Sequence, residues 1–428
     1  MKETRHLEAT RAAHPLESAG LKCRFCAAPL VHSFADLGMT PLCQKHVKPS
    51  QLNDAETFYP LHAFVCTSCW LVQLGEYATP AEIFAQEYAY FSSYSDTWLL
   101  HAKQYAEDMT TRLRLGGDSL VVEIASNDGY LLQYFVALGV PVLGVEPAAN
   151  VAEAARQRGV RSVVQFFGTA TARELRENYG GADLLLGNNV LAHVPDLNDF
   201  VEGMRVMLKP GGVITMEFPH LMQLVEHNQF DTIYHEHFSY FSFTTVEKVF
   251  AAHGLTLFDV EELPTHGGSL RIYGRHCDTA PAVHARVADL KAREEQWGVR
   301  SVAMYESFDA RVKETKRAIL SFLIDARSRG KRVVGYGAPG KGNTLLNYCG
   351  IRTDFLDYTV DRSPHKQNTY TPGTHIPIHA PEKIRETRPD YVFILPWNLK
   401  DEIMQQMAYV REWGGRFVVP IPEVRVYE

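Results

Sequence analysis

The sequence is short of positive charge and has no long apolar run. Its 428 residues carry 43 Lys and Arg against 50 Asp and Glu, for a formal net charge of −7. A protein that follows a phosphate backbone normally presents a basic face, so this balance argues against nucleic acid as a partner. No apolar run reaches the roughly 18 residues that a membrane helix needs, and residues 1–20 lack the apolar segment of a signal peptide. We therefore expect a cytoplasmic protein with no membrane contact.

Three well-known motifs are incomplete. The loop Tyr234–Tyr240 contains His-Glu-His and not H-E-x-x-H, so its spacing excludes the zinc-protease helix. Residues 335–341 match the glycine and lysine spacing of a P-loop, but Gly342 stands where a P-loop places the Mg²⁺-binding Ser or Thr. A dinucleotide fingerprint requires G-x-G-x-x-G, and the corresponding loop contains only Gly129. A metalloprotease and an NTPase are thus disfavoured, and a dinucleotide-binding domain is weakened.

Cysteine is used sparingly but in a pattern. Among seven cysteines, Cys23 pairs with Cys26 and Cys66 with Cys69 as two C-x2-C knuckles, which together supply four thiolates to one Zn²⁺. A closed four-cysteine site has no open coordination position, so its zinc is predicted to be structural. Cys43 lies in the long spacer and remains an alternative ligand. Four unligated core cysteines are the other interpretation, whereas disulfides are not expected in a reducing cytosol.

The stretch Val121–Leu132 predicts a strand, a small polar loop and the start of a helix. Such a junction exposes helix N-terminal amides, and the small Ala125 and Gly129 allow a ligand to approach the backbone. A second apolar run ends at Glu146, a carboxylate suited to a ribose diol. Glu123 and Asp128 would repel a pyrophosphate but tolerate the cationic sulfonium of S-adenosylmethionine. S-adenosylmethionine is therefore favoured over NAD, and a core strand with no ligand is the remaining alternative.

Strand and helix patterns then alternate as in a doubly wound parallel sheet, followed by an antiparallel pair. This is the layout of a class I methyltransferase domain, which we place at residues 117–275. Phe166 and Phe167 end the third strand, where an adenine ring would lie, and Asn188 and His193 follow the fourth strand at the crevice. The predicted parallel strands are 120–125, 141–146, 162–167, 182–187 and 213–218, with a turn at 209–212, and the antiparallel pair is 255–261 and 269–275.

The loop Tyr234–Tyr240 combines two histidines, a glutamate and aromatic residues. Such a loop can form a partly dry pocket in which a base is tuned and oriented. His237 shares this loop with Glu236 and the phenol of Tyr234, so we predict that it is the general base, with His235 and His193 as weaker rivals.

The remaining segments flank the predicted methyltransferase domain. Residues 79–115 read as helical around the aromatic patch Tyr88–Tyr94, which is either core packing or a lid over the cofactor. Residues 283–330 predict one long amphipathic helical stretch. A second, smaller α/β unit follows, with strands at 332–336, 357–360, 391–395 and 416–419. Lys341, at the start of a helix after a glycine-rich turn, is suited to hold a substrate diphosphate.

Taken in order, these motifs resemble the nucleotide-sugar C-methyltransferases of deoxysugar biosynthesis, the tetronitrose C-3′ methyltransferases among them. The resemblance rests on the two knuckles, Glu123–Gly129, Asn188–Pro195, Tyr234–Tyr240 and Gly335–Gly350, and it extends from Leu21 onward. It implies a zinc-bearing N-terminal domain, a central S-adenosylmethionine domain and a C-terminal α/β domain that helps to enclose a dTDP-keto-deoxysugar. It also places Tyr234, Glu236, His237 and His193 at catalytic positions. Pro339-Gly340 departs from the Ala-Ala or similar pair that the resemblance leads us to expect before the lysine.

We therefore expect an α/β protein in which a class I, Rossmann-like methyltransferase domain is flanked by a zinc-binding domain and a second Rossmann-like domain. The predicted divisions are a disordered tail (1–20), the zinc domain (21–78), the methyltransferase domain with its helical lid (79–282), a helical connector (283–330) and the substrate-binding domain (331–428). The predicted site residues are His237, Tyr234, Glu236 and His193 for catalysis, Glu123, Ala125, Asn127, Asp128, Gly129, Glu146, Phe167 and Asn188 for the cofactor, His266, Arg271, Tyr336 and Lys341 for the substrate, and Cys23, Cys26, Cys66 and Cys69 for zinc.

The predicted reaction is methylation of a nucleotide-linked keto-deoxysugar at C-3, next to a C-4 ketone, by a monomeric enzyme. Carbon methylation requires a carbanion equivalent, which a base creates most simply by removing a proton α to a ketone. The alternatives are a zinc-ribbon methyltransferase acting on RNA or another small molecule, a NAD-dependent oxidoreductase, and a non-catalytic scaffold.

Overall fold

The computed structural model describes residues 20–83 and 91–428. The predicted N-terminal tail, except Gly20, and the first part of the aromatic patch, Tyr88–Tyr90, lie outside the described residues. Within the described parts of the chain, no helix is long and apolar enough to cross a membrane.

The first sheet is antiparallel and contains a strand from a distant part of the chain. Its strands, in spatial order, are β1 (His32–Thr40), β2 (Tyr59–Val65), β3 (Val72–Leu74) and β9 (Ser239–Tyr240). The second cysteine knuckle is the turn between β2 and β3. Because β9 forms the end of the loop Tyr234–Tyr240 and pairs with β3, that loop is attached to the N-terminal sheet.

The central sheet has the strand order β10-β11-β8-β7-β4-β5-β6. All neighbouring strands from β8 to β6 pair in parallel, whereas β11 and β10 run antiparallel. Five parallel strands followed by an antiparallel pair confirm the class I methyltransferase fold. The strands are β4 (Val121–Ile124), β5 (Val142–Val145), β6 (Ser162–Val163), β7 (Ala182–Asn188), β8 (Leu208–Pro219), β10 (Leu255–Leu263) and β11 (Ser269–His276).

Two strands of this sheet differ from their predicted lengths. The third strand was predicted to reach residue 167, but β6 stops at Val163 because its single partner β5 stops at Val145. Phe166 and Phe167 therefore lie in the loop that follows. The fifth strand begins earlier than predicted, at Leu208, and includes the predicted turn at Lys209–Gly212.

The helices pack on these sheets. They are α1 (Pro80–Ile83), α2 (Asp96–Leu113), α3 (Leu132–Ala137), α4 (Ala149–Gln157), α5 (Thr169–Tyr179), α6 (Leu197–Met207), α7 (Leu221–Glu226), α8 (Phe243–Ala252), α9 (Ala285–Trp297), α10 (Val302–Ser328), α11 (Gly340–Cys349), α12 (Lys383–Thr387) and α13 (Lys400–Gln406). The single stretch predicted over 283–330 is two helices, because Gly298 ends α9 in the left-handed conformation with φ +96°.

The third sheet is a second α/β layer with the order β14-β13-β12-β15-β16-β17. Its strands are β12 (Val333–Tyr336), β13 (Thr359–Val360), β14 (Ile378–His379), β15 (Tyr391–Ile394), β16 (Arg416–Val419) and β17 (Arg425–Tyr427), and all pairs are parallel except β16 with β17. The sequence analysis missed β14 and β17, since edge strands of two or three residues show no periodicity.

The first and third sheets share one hydrophobic core through α10. Phe34 of β1 stacks on Phe308 of α10 with ring centroids 4.7 Å apart, and Trp70 stacks on Tyr305 at 6.1 Å. Cys66 and Cys69 pack instead against the core of the central sheet. The N-terminal region therefore contacts both other layers, and the predicted connector is part of a core.

Candidate active site and metal centre

The four knuckle cysteines form one cluster. All four sulfurs lie within 4.8 Å of one another, with Cys23 and Cys69 3.5 Å apart and Cys26 and Cys66 3.5 Å apart. Tetrahedral zinc at a Zn–S distance of about 2.3 Å places its sulfurs close to 4 Å apart, so this donor set fits Zn²⁺. Cys43 lies elsewhere, with its thiol donating to Glu236 at 3.4 Å, so it is not the alternative ligand.

A cavity of about 670 Å³ opens at the carboxyl ends of the central strands. Its lining comes from the cofactor loop, the His-Glu-His loop, α2 and the start of α11. A cleft of this size is typical of a small-molecule site. All four predicted catalytic residues line it, together with Ala125, Asn127, Glu146, Phe167, Asn188, His266 and Lys341.

The cofactor loop turns tightly at the end of β4. Ala125 and Asn127 have positive φ angles of 55° and 48°, a conformation that costs energy in non-glycine residues and is concentrated at functional sites. Glu146 holds this loop in place, because its carboxylate accepts hydrogen bonds from the backbone N–H of Asn127 at 3.0 Å and of Ala148 at 2.9 Å. Burial raises the pKa of Glu146 to about 7, although both N–H groups oppose the shift.

Three predicted cofactor residues are packed in the interior behind the cofactor loop. Glu123 is fully buried, and its burial raises its pKa well above the usual carboxyl value. Asp128 is also buried and forms an ion pair with Arg158 at 2.7 Å. Gly129, at φ +75°, packs so closely on Val160 that a Cβ would lie 3.0 Å from its methyl group. None of the three lines the cavity.

His237 has a defined orientation. Its Nδ1 lies 2.9 Å from the carbonyl oxygen of Thr232, and a carbonyl can only accept, so Nδ1 carries the proton and Nε2 is left as an acceptor. Burial, and then the neighbouring His193, lower the pKa of His237 well below its usual value. The imidazole is therefore neutral at pH 7. The group that orients the ring and fixes its tautomer is therefore the backbone carbonyl of Thr232.

The other predicted catalytic groups surround His237. The His193 ring stands nearly perpendicular to it at 4.7 Å, and the Tyr234 ring lies 3.9 Å away. Burial lowers the pKa of His193 to about 4. His235 is directed elsewhere, with Nε2 3.1 Å from the carbonyl oxygen of Pro60 and its ring against Tyr59. Two neutral imidazoles, a phenol and the carboxyl group of Glu236 thus line the same cavity.

Of the four predicted substrate residues, Lys341 and His266 line the cavity. Lys341 donates to Asn398 Oδ1 at 2.8 Å and lies 4.5 Å above the Trp397 ring. Burial lowers the pKa of Lys341 to about 8, which Asp231 opposes. His266 has a positive φ of 56°, and the Asn189 amide donates to its Nε2 at 2.5 Å.

The other two predicted substrate residues, Arg271 and Tyr336, do not line the cavity. Arg271 Nη2 donates to Glu217 Oε2 at 2.9 Å and lies 3.1 Å from His101 Nε2. Tyr336 is buried in β12. Since both side chains are committed to interior packing, the structure brings neither of them to the cavity.

Several lining residues escaped the sequence analysis. Asn398 lies shortly after β15, and Asn188 is the last residue of β7, so a polar residue at or just beyond the end of a predicted strand was the missed signal. Trp98 was hidden in the apolar pattern of α2, and Lys366 lies in a segment without regular structure. Lys366 is 7% exposed and donates to the carbonyl of Ala338 at 3.0 Å, which precedes α11.

Three family models match the chain: a zinc binding domain over residues 23–84, a methyltransferase domain over 98–260 and a C-methyltransferase C-terminal domain over 264–422. The chain is 35% identical to the C-methyltransferase NovU of Streptomyces niveus over 405 residues, which cover 95% of this chain and 96% of that protein. It is 32% identical over 95 residues to the ubiquinone biosynthesis O-methyltransferase of Chelativorans sp. (strain BNC1), which is 22% of this chain and 38% of that protein. Among solved structures, magnesium protoporphyrin IX methyltransferase (ChlM) from Synechocystis PCC 6803 with bound SAH aligns with 41% of this chain and 82% of its own, at 14% identity and a TM-score of 0.33.

The match to NovU extends over nearly the whole of both chains, and the methyltransferase model covers the strands that carry the cofactor loop. S-adenosylmethionine, and not a dinucleotide, is therefore the cofactor of the central domain, and the four cysteines form a structural zinc site. The chain belongs to the C-methyltransferase family and is an S-adenosylmethionine-dependent enzyme.

Proposed function

We propose that this enzyme methylates a carbon next to the ketone of a nucleotide-linked deoxysugar, most simply C-3 beside a C-4 ketone of a dTDP-sugar. The observation that carries the proposal is the composition of one cavity. The cofactor loop, the neutral pair His237 and His193, and a buried lysine at the start of α11 all open into it. These three parts correspond to a methyl donor, a base for carbon acids and an anion site.

The cofactor end of the cavity suits a nucleoside. Glu146 would accept from ribose hydroxyls, and Phe167 would pack against the adenine ring. Asn188 presents a buried amide nitrogen that has no hydrogen-bond partner among the residues that the structure describes. S-adenosylmethionine supplies an electrophilic methyl group. Glu123, Asp128 and Gly129 support this loop from behind.

The His-Glu-His loop supplies the proton transfer. The unprotonated Nε2 of His237 removes the proton on the carbon next to the ketone, and the electron pair moves to the ketone oxygen. Tyr234 donates a hydrogen bond to that oxygen, which stabilises the charge that develops on it. The negatively polarised carbon then accepts the methyl group. His193 and Glu236 complete the wall that orients the sugar ring.

The C-terminal sheet supplies the anion site. The N-terminal amides of α11, Lys341 and Lys366 lie on one side of the cavity, and this combination attracts a diphosphate. We therefore assign substrate binding to the domain over residues 331–428, and α2 presents Trp98 to the same cavity.

The test is incubation of the purified enzyme with S-adenosylmethionine and a panel of dTDP-, GDP- and CDP-linked keto-deoxysugars, with mass spectrometry for one added methyl group. The matched control is the same dTDP-sugar with its ketone reduced to a hydroxyl, which has no acidic α-hydrogen and should remain unmodified. Methylation of the reduced sugar, or of RNA but none of the keto-sugars, would contradict the proposal.

A further inference from the structure

Arg24 lies between two zinc-binding cysteines, Cys23 and Cys26, but its guanidinium contacts segments outside the metal site. Nη1 donates to the carbonyl of Pro195 at 2.8 Å, and Nη2 donates to the carbonyl of Leu74 at 2.6 Å. The guanidinium carbon also lies 5.2 Å from the centre of the Phe238 ring. One side chain of the zinc knuckle therefore joins three separate segments.

Two of these segments carry the catalytic histidines. Pro195 lies two residues after His193, and Phe238 directly follows His237. The segments are also bonded to each other, since the Phe238 N–H donates to the carbonyl of Ala192 at 2.7 Å and the Leu74 N–H donates to the carbonyl of Phe238 at 3.0 Å. The guanidinium thus bonds to Pro195 and Leu74 and contacts Phe238, in segments that are themselves hydrogen-bonded to one another beside the two imidazoles.

The position of Arg24 is in turn set by the knuckle. The backbone N–H of Arg24 donates to Gln73 Oε1 at 2.8 Å, and Gln73 Nε2 donates to the sulfur of Cys23 at 3.1 Å. Asn198 of α6 donates to the carbonyl of Phe25 at 3.0 Å, which holds the knuckle against the helix that follows His193. A change in the geometry of the cysteine cluster would therefore move Arg24 relative to both histidine segments.

We propose that Arg24 is a positioning residue that transmits the geometry of the zinc knuckle to the spacing of His193 and His237. The proposal goes beyond the assigned reaction and rests on it only for the chemical role of the histidines. A guanidinium suits this task, because its planar fork of N–H donors bonds two carbonyls at once in a fixed geometry. A reacting group displaced by about 1 Å can lose on the order of 10²-fold in rate.

The test compares Arg24→Met, Arg24→Lys and the control Arg112→Met in zinc-loaded enzyme. Arg112 is a matched control, since it pairs with Asp259 at 2.8 Å and lies 4.4 Å from the Tyr273 ring, outside the cavity lining. Arg24→Met should keep its zinc, its affinity for S-adenosylmethionine and its KM for the sugar nucleotide, while kcat falls about 10²-fold. Arg24→Lys, which keeps the charge but not the fork, should fall between Arg24→Met and the wild type. Arg112→Met should keep the wild-type kcat.

A second measurement does not depend on the sugar substrate. The ¹⁵N signals of the His193 and His237 imidazoles, recorded with S-adenosylmethionine alone and assigned by substitution, should move in Arg24→Met and stay in place in Arg112→Met. Unchanged signals or a wild-type kcat in Arg24→Met would overturn the proposal, as would loss of zinc from it. If Arg24→Met does not fold, the same two outcomes in Arg24→Lys decide. If the wild type methylates no keto-sugar, the proposed function fails while the imidazole signals still test the role of Arg24.

Discussion

Replacing His237 by Asn tests the assignment of the general base. The Asn amide nitrogen can occupy the place of Nδ1 and keep the hydrogen bond to the Thr232 carbonyl, which spans 2.9 Å in the wild type. The loop should therefore keep its shape. The substitution removes Nε2, which is the only part of the ring that can accept a proton.

The expected loss follows from the role of that nitrogen. Removal of a positioned base lowers kcat roughly 10²- to 10⁴-fold, which corresponds to about 3 to 5 kcal/mol of activation free energy. His235→Asn is the matched control, because its ring is bonded to the Pro60 carbonyl and does not line the cavity. That variant should lose some stability and keep kcat within a few-fold of the wild type.

The pH dependence gives an independent readout. Burial, His193 and Lys341 are among the causes that lower the pKa of His237, so the base is neutral in the free enzyme well below pH 6.5. A diphosphate bound beside Lys341 would offset one of these positive charges and raise the pKa of His237 in the complex. The acid limb of kcat should therefore lie at a higher pH than the acid limb of kcat/KM.

The assay combines methyl transfer with isotope exchange. Mass spectrometry follows the methylated sugar nucleotide, and proton NMR in D₂O follows exchange of the substrate's α-hydrogen. His237→Asn should abolish the enzyme-dependent exchange while still binding both ligands. Exchange at the wild-type rate in this variant would refute the reasoning and transfer the role to His193.

The remaining predictions concern the metal, both ligands and acid stability. Cys66→Ser should lose the zinc and Cys43→Ser should retain it, as measured by elemental analysis; the opposite result would make the ligand set wrong. Glu146→Ala should weaken S-adenosylmethionine binding about a hundredfold, because two charge-assisted hydrogen bonds contribute on the order of 3 kcal/mol; unchanged affinity in calorimetry would contradict the ribose contact. Lys341→Met should raise the KM for the sugar nucleotide and leave cofactor affinity alone, with the exposed Lys331→Met as control; a change confined to the cofactor would place the diphosphate elsewhere. Burial lowers the pKa of His266 to about 4, so this group takes up a proton on unfolding at pH 5 and its contribution to stability is lost as pH falls below about 6.5. In denaturant titrations, His266→Asn should therefore lose less stability than the wild type between pH 7 and pH 5, by up to about 2 kcal/mol, and equal losses would exclude this linkage.

Local patterns were sufficient for much of the fold. The five parallel strands and the antiparallel pair were predicted because each buried strand is a short apolar run bounded by turn residues. The zinc ligands were also predictable, since two C-x2-C knuckles in one chain favour a single tetrahedral site and the structure places all four sulfurs together. The short edge strands β14 and β17 and the break between two helices at Gly298 were not predicted, because their local sequence signals are too weak.

The cavity was only partly predictable. Asn188, Glu146 and His237 could be found because each follows or ends a recognisable strand or lies in an unusual loop. Trp98 and Lys366 could not, because one side chain looks like helix core and the other lies in irregular chain. Conversely, Glu123 and Arg271 were predicted to bind ligands from their residue type and position, but neither lines the cavity. Glu123 is fully buried, and the side chain of Arg271 is bonded to Glu217.

The sequence by itself determined the succession of parallel strands and the antiparallel pair along the chain, and the four-cysteine cluster, since these depend on residue type and on spacing within short segments. It also supplied the prediction that a base lies in Tyr234–Tyr240. Only the tertiary structure decided which nitrogen of His237 is free, because the Thr232 carbonyl that orients the ring is recognised by its position and not by its side chain. The same holds for Arg24, whose carbonyl partners at Leu74 and Pro195 come from two other segments. Backbone acceptors are present at every residue, so no sequence pattern marks the ones that a fold will use.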